Sequence, residues 1–302
     1  MPECYTHCHV ATRALMRSGQ LVASHPAFLA GANGPAPFML YRPDKKQENF
    51  DLPALGSRMH HEKTGLFLNN LVRLAITPIQ QSYALGYLSH YAADCVLDPY
   101  IHAMCIPPAG PYSMLRGSAW MRLSMDSTLY YQSYRTYLVP LHVATPVLVT
   151  EELAQVTSLL QGVLRQTYDI QLPLVVLADV YHNLLARRRG RISRYGVRKF
   201  FAGMGEVIRY GSKGRGKITS LMQPGRPLKP LPTAWSNPYT QEEKNKTFDE
   251  MIMEAIEAGA ICISGAMRLW LAKITPEQLE VVLGDNDFHT GMPCAVPVEI
   301  SE

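Results

Sequence analysis

Apolar residues recur at helical spacing through most of this 302-residue chain, and strictly alternating apolar and polar positions are hard to find. The spacing of three and four that one face of a helix requires predicts eight main helices. They cover 10–24, 58–74, 78–97, 118–138, 151–168, 172–186, 247–272 and 275–282. The pattern therefore predicts an all-α protein, which we take as a single helical domain over residues 1–302.

Glycine and proline mark the connections between these helices. The segment 28–43 contains two glycines and three prolines, which predicts a fixed, irregular turn. Similar composition predicts a connector at 105–117 and a loop at 211–235. The last segment, 284–302, has no periodicity, so we expect a partly mobile tail there.

The helix predicted at 78–97 carries polar residues at a notable spacing. His90, Asp94 and Asp98 follow one another at intervals of four, so they project from one helical face. Burying an imidazole and two carboxylates without partners is costly, and a divalent metal ion would serve all three. The alternatives are a polar face that meets water, or a buried ion pair.

Asp98 is followed by Pro99, which is the order typical of a helix N-cap and a first helical residue. The pair therefore predicts a new short helix that carries His102. If Asp98 is an N-cap, its carboxylate stabilises the start of that helix and does not bind a metal ion.

Further ligands would have to come from elsewhere in the chain. His7 and His9 lie near the N-terminus, and His60 and His61 lie in the helix predicted at 58–74. A single histidine is more often an ordinary polar residue than a ligand, but these pairs together with His90 strengthen the prediction of a metal site.

The composition is 47% hydrophobic and 18% charged, which is typical of a globular protein. The first residues lack a basic and apolar leader, and no apolar run reaches membrane-spanning length, so we expect a cytoplasmic protein. The six cysteines are then reduced thiols. Cys4 and Cys8 could begin a thiolate metal site, but no second cysteine pair lies near them in the sequence.

The net charge of +4 is unevenly distributed, because residues 187–217 contain eleven Lys or Arg and one acid, Glu206. Such a stretch binds phosphate groups on an anionic membrane or on nucleic acid, or it is a solvated face that pairs with acids elsewhere. No nucleic-acid-binding motif accompanies it, so an anionic membrane surface is favoured over nucleic acid.

Several short motifs share their order with a known family. They are Tyr5-x-His7, Gly34-Pro35, Gly56-Ser-Arg-Met-His60-x-Glu62, Gly86-x3-His90-x3-Asp94 and Pro99-Tyr100. In this respect the chain resembles the bacterial zinc-dependent phospholipase C family, above all its short, leaderless Gram-positive branch. Trp235-x-Asn237-Pro238 and Thr247-Phe248-Asp249 also resemble that branch. The clearest likeness covers residues 1–130.

The resemblance implies a phospholipase C/P1 nuclease-like helical bundle with zinc ions at the foot of a cleft, and hydrolysis of a phospholipid or related phosphodiester. It implies that His60, His90 and Asp94 bind one zinc ion. It also implies that His7 and Asp94 bind another together with the free N-terminal amine. Asp98 stands near a position where the family has a histidine ligand. We therefore expect one or two zinc ions instead of the family's three.

Three departures limit the expected activity. Ala36 stands where the family has a metal-bridging acid that is its candidate base, and Ser118 and Arg122 align with the family's His-x3-Glu zinc ligands. Losing several such groups predicts reduced or altered hydrolysis, or a non-catalytic relative that binds phosphate or a lipid head group. If Arg122 lies near Asp98, its guanidinium would replace a missing ion as the positive charge.

Overall fold

The structure is a computed structural model that describes residues 4–41, 50–105, 117–191, 197–210 and 233–294. These residues form thirteen helices and one two-stranded sheet, which confirms the all-α prediction. The helices are α1 (Cys4–Arg17), α2 (His25–Gly31), α3 (Ala36–Met39), α4 (Leu52–His61), α5 (Thr64–Leu74), α6 (Pro78–Cys105), α7 (Gly117–Tyr134), α8 (Leu141–Ala144), α9 (Thr150–Tyr168), α10 (Leu174–Arg191), α11 (Val197–Tyr210), α12 (Phe248–Trp270) and α13 (Pro276–Leu283). The strands β1 (Ala234–Ser236) and β2 (Glu243–Asn245) pair antiparallel, with Trp235 opposite Lys244.

Helix α6 is the central element, and α1, α2, α9 and α12 all contact it. Its contact with α2 is close because each helix has a glycine at the point of contact, Gly31 on α2 and Gly86 on α6. A Cβ at Gly31 would lie 2.0 Å from the carbonyl oxygen of Tyr83, and a Cβ at Gly86 would lie 1.9 Å from that of Phe28. The two backbones therefore touch, which brings the end of α2 against the polar face of α6.

The prediction that a new helix starts at Pro99 is wrong, because α6 continues through it to Cys105. A proline inside a helix removes one hydrogen bond and costs about 3 kcal/mol. Burial of the surrounding apolar side chains offsets that cost, since Leu97, Tyr100 and Ile101 are fully buried. As a result Asp98 is not an N-cap, and His102 lies one turn further along the same face.

Other helix boundaries also differ from the sequence prediction. The first helix runs from Cys4 to Arg17. Its start is stabilised by the carboxylate of Asp126, which accepts hydrogen bonds from the backbone nitrogens of Tyr5 and Thr6 at 2.9 and 2.8 Å. The helix predicted at 58–74 is two helices, since Lys63 adopts a left-handed conformation with φ 52°. The predicted irregular turn at 28–43 contains the second half of α2 and all of α3.

The described residues have two apolar clusters. One is built around α2, α5, α6 and α9, with Phe28, Phe67 and Tyr83 at its centre. The other joins the second half of α6 to α7 and α12, and includes Tyr100 and Trp235. No helix among the described residues combines the length and the apolar character that crossing a bilayer requires.

Residues 284–294, at the start of the segment expected to be a partly mobile tail, pack against the rest of the protein. Phe288 is fully buried, and its backbone nitrogen donates to the carbonyl oxygen of His60 at 3.0 Å. Gly291 packs on the carbonyl of Cys95, so closely that a Cβ would lie 2.6 Å from that oxygen. Residues 295–302, and most of the predicted loop at 211–235, lie outside the described residues.

Candidate metal centre

Four side chains from three helices converge beside the middle of α6. His90 and Asp94 come from α6, His7 from α1 and His60 from α4. The Nε2 atoms of His90, His7 and His60 lie 3.0, 3.3 and 3.8 Å from carboxylate oxygens of Asp94. Three of the four side chains are fully buried, and His7 is 2% exposed. We call this set the Asp94 cluster.

The backbone near α2 fixes the orientation of His90. Its Nδ1 lies 3.1 Å from the carbonyl oxygen of Ala32, so Nδ1–H donates there and Nε2 is left with its lone pair. Gly34 packs flat on the same ring, and a Cβ at Gly34 would lie 2.2 Å from Cδ2 of His90. With φ +53°, Gly34 also has a backbone conformation that other residues rarely adopt. The Gly34-Pro35 turn therefore holds the imidazole with Nε2 toward Asp94.

Within the part of the chain that the structure describes, most polar atoms of the Asp94 cluster have no aligned hydrogen-bond partner. Both nitrogens of His7 and His60, Nε2 of His90 and both carboxylate oxygens of Asp94 are buried and make no aligned hydrogen bond. Leaving a buried polar atom unpaired costs about 1–3 kcal/mol, so such a concentration is unusual. One bound cation would give a partner to His7, His90 and Asp94, whose ligand atoms lie within 4.8 Å of one another, with His60 Nε2 beside them at 3.8 Å from Asp94. Imidazoles with one carboxylate suit zinc. The residues present therefore fit a zinc ion. The alternative is an ion pair between Asp94 and one protonated imidazole.

The pKa shifts agree with a ligand role. Burial lowers the pKa of His7 and lowers the pKa of His60 further, well below its usual value. Burial alone would raise the pKa of Asp94, but the adjacent His90 and His7 outweigh it and hold that pKa below the usual range. At neutral pH, His7 and His60 are therefore neutral and Asp94 is ionised, as metal binding requires.

One turn beyond Asp94, the Asp98 carboxylate is bound by an arginine and a histidine. Arg122 from α7 approaches it with both terminal nitrogens, at 2.9 and 3.2 Å, and Nδ1 of His289 donates to it at 2.7 Å. Burial and the nearby Asp94 raise the pKa of Asp98 to about 6, and burial lowers the pKa of Arg122 to about 9. Both groups are ionised at pH 7. Arg122 does lie near Asp98, as the hypothesis of a guanidinium in place of a missing ion requires.

His102 completes this second group. Its ring centroid lies 5.1 Å from that of His289, and its Nδ1 is hydrogen-bonded to the hydroxyl of Tyr239. Ligand atoms of Asp98, His102 and His289 all lie within 4.8 Å of one another. The group has the composition of a metal site, but the Arg122 guanidinium already provides a positive charge to Asp98.

Sequence reasoning missed His289 and its neighbours. The ring of His289 lies 5.5 Å from that of His60 and 5.0 Å from that of His61, and His61 Nδ1 is 2.5 Å from Asp287. His289 lies in a segment without periodicity, and the only signal is Asp287-x-His289, which is too common to identify a site. Its side chain is 24% exposed, so solvent reaches His289 itself.

The other sequence candidates do not join the Asp94 cluster. His9 packs on Tyr5. The Cys8 thiol donates to the carbonyl of Ala144 at 3.9 Å, and burial raises its pKa, which disfavours a thiolate site. Ala36 is buried two residues after Gly34 and supplies no carboxylate. The N-terminal amine and the side chain of Ser118 lie outside the described residues.

Comparison of the chain with protein-family models, with curated proteins and with solved structures returns no match. The relation to the zinc-dependent phospholipase C family therefore stays a prediction. The structure supports the coarser statement that the described residues bring together histidine and aspartate side chains that could hold a metal ion.

Proposed function

We propose that this chain is a phospholipase C-like protein that binds one zinc ion at the Asp94 cluster and hydrolyses phospholipids or related phosphodiesters slowly. The observation that carries the proposal is a set of buried ligand atoms that have no aligned hydrogen-bond partner among the described residues, contributed by His7, His60, His90 and Asp94. These residues are the ones that the resemblance assigns to zinc. Their convergence from three helices supports the assignment independently of the motif order.

A single ion is proposed because Arg122 pairs with the remaining carboxylate, Asp98. Zinc at the Asp94 cluster would act as a Lewis acid on a phosphoryl oxygen. The partly exposed His289 is held by Asp98 through Nδ1, which leaves Nε2 to exchange a proton. Phosphodiester cleavage commonly uses two or more ions to stabilise both reacting oxygens, so one ion implies a low rate.

The proposed hydrolysis is tested with untagged protein and a chromogenic phosphodiester. We expect slow turnover that a chelator abolishes and that added zinc restores. His90→Ala should remove both the metal and the turnover, whereas Arg73→Met, at an exposed arginine, should change neither. Turnover that is equal in wild type and His90→Ala would refute the proposal.

A second candidate is a relative that binds zinc and a phosphate-bearing head group without hydrolysis. It is favoured by the near-complete burial of the Asp94 cluster and by Ala36 at the position of the family's candidate base. Four protein ligands around one zinc ion are typical of closed, structural sites. In that case zinc raises the melting temperature, and a soluble head-group analogue raises it further, while hydrolysis stays at the level of the chelated control.

A further inference from the structure

Helix α11 presents a continuous apolar stripe to solvent. Its members are 47–82% exposed and comprise Val197, Phe200, Phe201, Met204 and Ile208. Their spacing places all five within an arc of about 100° on the helix surface, the width of the apolar face of an amphipathic helix. In a helix that packs on its own protein this face would be buried. Here it points outward.

Apolar residues scattered singly over a surface are normal, but a contiguous exposed apolar patch marks an interaction site. The five residues of α11 line up on one face and therefore form such a patch. Two of the five are phenylalanines, each about two-thirds exposed. Aromatic and aliphatic residues on one face, with basic residues elsewhere on the same helix, are typical of helices that lie in a membrane interface.

The charge around α11 identifies the kind of partner. Within the helix the sequence has Arg198, Lys199 and Arg209 against Glu206, and the wider segment 187–217 has eleven basic residues against that one acid. At helical spacing these four positions fall outside the apolar stripe. An anionic surface would be attracted by the basic residues while the stripe enters the apolar layer.

Part of the basic segment has a different role. Arg188 is 8% exposed and donates from Nη1 to the side chains of Asn33 and Thr145 and to the carbonyl oxygen of Ala144. The end of α10 is therefore anchored to the body of the protein, close in sequence to the start of α11. Arg188 is therefore not available to an anionic surface, although it belongs to the basic segment 187–217.

We propose that α11 docks onto an anionic lipid bilayer, with its apolar stripe at the boundary between head groups and acyl chains. A second copy of the chain is a poorer partner, because two identical helices would bring their basic residues together. The proposal does not depend on zinc or on hydrolysis.

Vesicle flotation tests the docking. We expect binding to vesicles of phosphatidylcholine with about one-third phosphatidylglycerol to be at least about tenfold stronger than to phosphatidylcholine alone. Raising the salt from about 0.05 to 0.5 M should weaken it, because the Debye length shortens. Equal binding to both vesicle types, or no binding to either, would overturn the proposal.

Two pairs of substitutions locate the surface. Phe200→Ser with Phe201→Ser should weaken binding at least about tenfold, since both rings leave the interface. The matched control is Leu21→Ser with Ile76→Ser, two residues that are 91% and 81% exposed outside α11, and it should bind like wild type. Both variants should keep the helical circular dichroism of wild type, because all four side chains are exposed.

Two further measurements separate this inference from its alternatives. His90→Ala should still float with anionic vesicles, so loss of the proposed zinc site leaves the docking intact. Light scattering should give a monomer for wild type and for the α11 variant. A wild-type dimer that the phenylalanine substitutions dissociate would show that a second copy covers the stripe, and would overturn the proposal.

Discussion

Replacing Arg122 by methionine tests whether its guanidinium stabilises the buried Asp98 carboxylate. In the phospholipase C family that the sequence resembles, a metal ion would supply this positive charge. Methionine keeps much of the apolar stem and removes the charge that faces Asp98 at 2.9 and 3.2 Å. Asp98 is fully buried and Arg122 is 4% exposed, so water cannot replace the lost partner without rearrangement.

Breaking a buried ion pair by removing one member costs about 3–5 kcal/mol, because the other charge remains buried without compensation. His289 reduces the loss here, since its Nδ1 already donates to Asp98 and a protonated imidazole could supply the positive charge. We therefore expect Arg122→Met to lower the free energy of unfolding by about 3 kcal/mol. At about 2 °C per kcal/mol, the melting temperature should fall by about 6 °C.

Urea unfolding at pH 7, followed by circular dichroism, measures the change. Arg73→Met is the matched control, because that arginine is exposed on α5, and it should stay within about 0.5 kcal/mol of wild type. Combining Arg122→Met with Asp98→Asn removes both charges and should recover part of the loss.

The reasoning is refuted if the free energy of unfolding of Arg122→Met lies within about 1 kcal/mol of wild type, because a buried carboxylate left with His289 alone should cost more than that. It is also refuted if Asp98→Asn makes the arginine variant less stable, because the asparagine should relieve the buried charge.

Three other predictions follow from the same geometry. Gly34→Ala should weaken zinc binding at least about tenfold by displacing His90, since its Cβ would lie 2.2 Å from the ring; unchanged affinity in a zinc titration would contradict this. Phe288→Ala should cost about 3–5 kcal/mol in urea unfolding, because the ring is fully buried, and a loss below 1 kcal/mol would contradict its core role. Burial lowers the pKa of His60 well below the ordinary 6.5. As the pH falls below 6.5, His60 is therefore protonated in the unfolded metal-free chain but not in the folded one, and the free energy of unfolding decreases. The stability difference between metal-free wild type and His60→Gln should therefore shift against wild type by about 1 kcal/mol from pH 7 to 5.5, and a constant difference would contradict this.

The sequence was sufficient to predict the helical fold and the core of the candidate site. His90 and Asp94 are four residues apart, so they lie on the same face of any helix that contains both. Their proximity could therefore be predicted without knowledge of the tertiary structure. His7 and His60 came from motif order, and the structure brings both to Asp94. The pairing of Arg122 with Asp98 was suggested because these residues stand where the phospholipase C family has a glutamate and a histidine. The structure contains this ion pair.

What the sequence did not predict depends on tertiary packing. Pro99 is a helix breaker by local rules, but buried neighbours keep α6 continuous across it. The start of α1 is capped by Asp126, which lies more than a hundred residues away in the chain. His289 and Phe288 occupy an aperiodic segment whose position is set by contacts with His60 and α6, so no local pattern could identify them.

The central claim is that the Asp94 cluster holds a zinc ion, and elemental analysis of untagged protein tests it most directly. Untagged protein is required because the resemblance assigns a ligand role to the N-terminal amine. The account predicts about one zinc ion per chain in wild type, and loss of most of it in His90→Ala with the fold retained. Wild-type protein that carries no zinc and takes up none on dialysis against it would contradict the account, and the cluster would then be a buried ion pair.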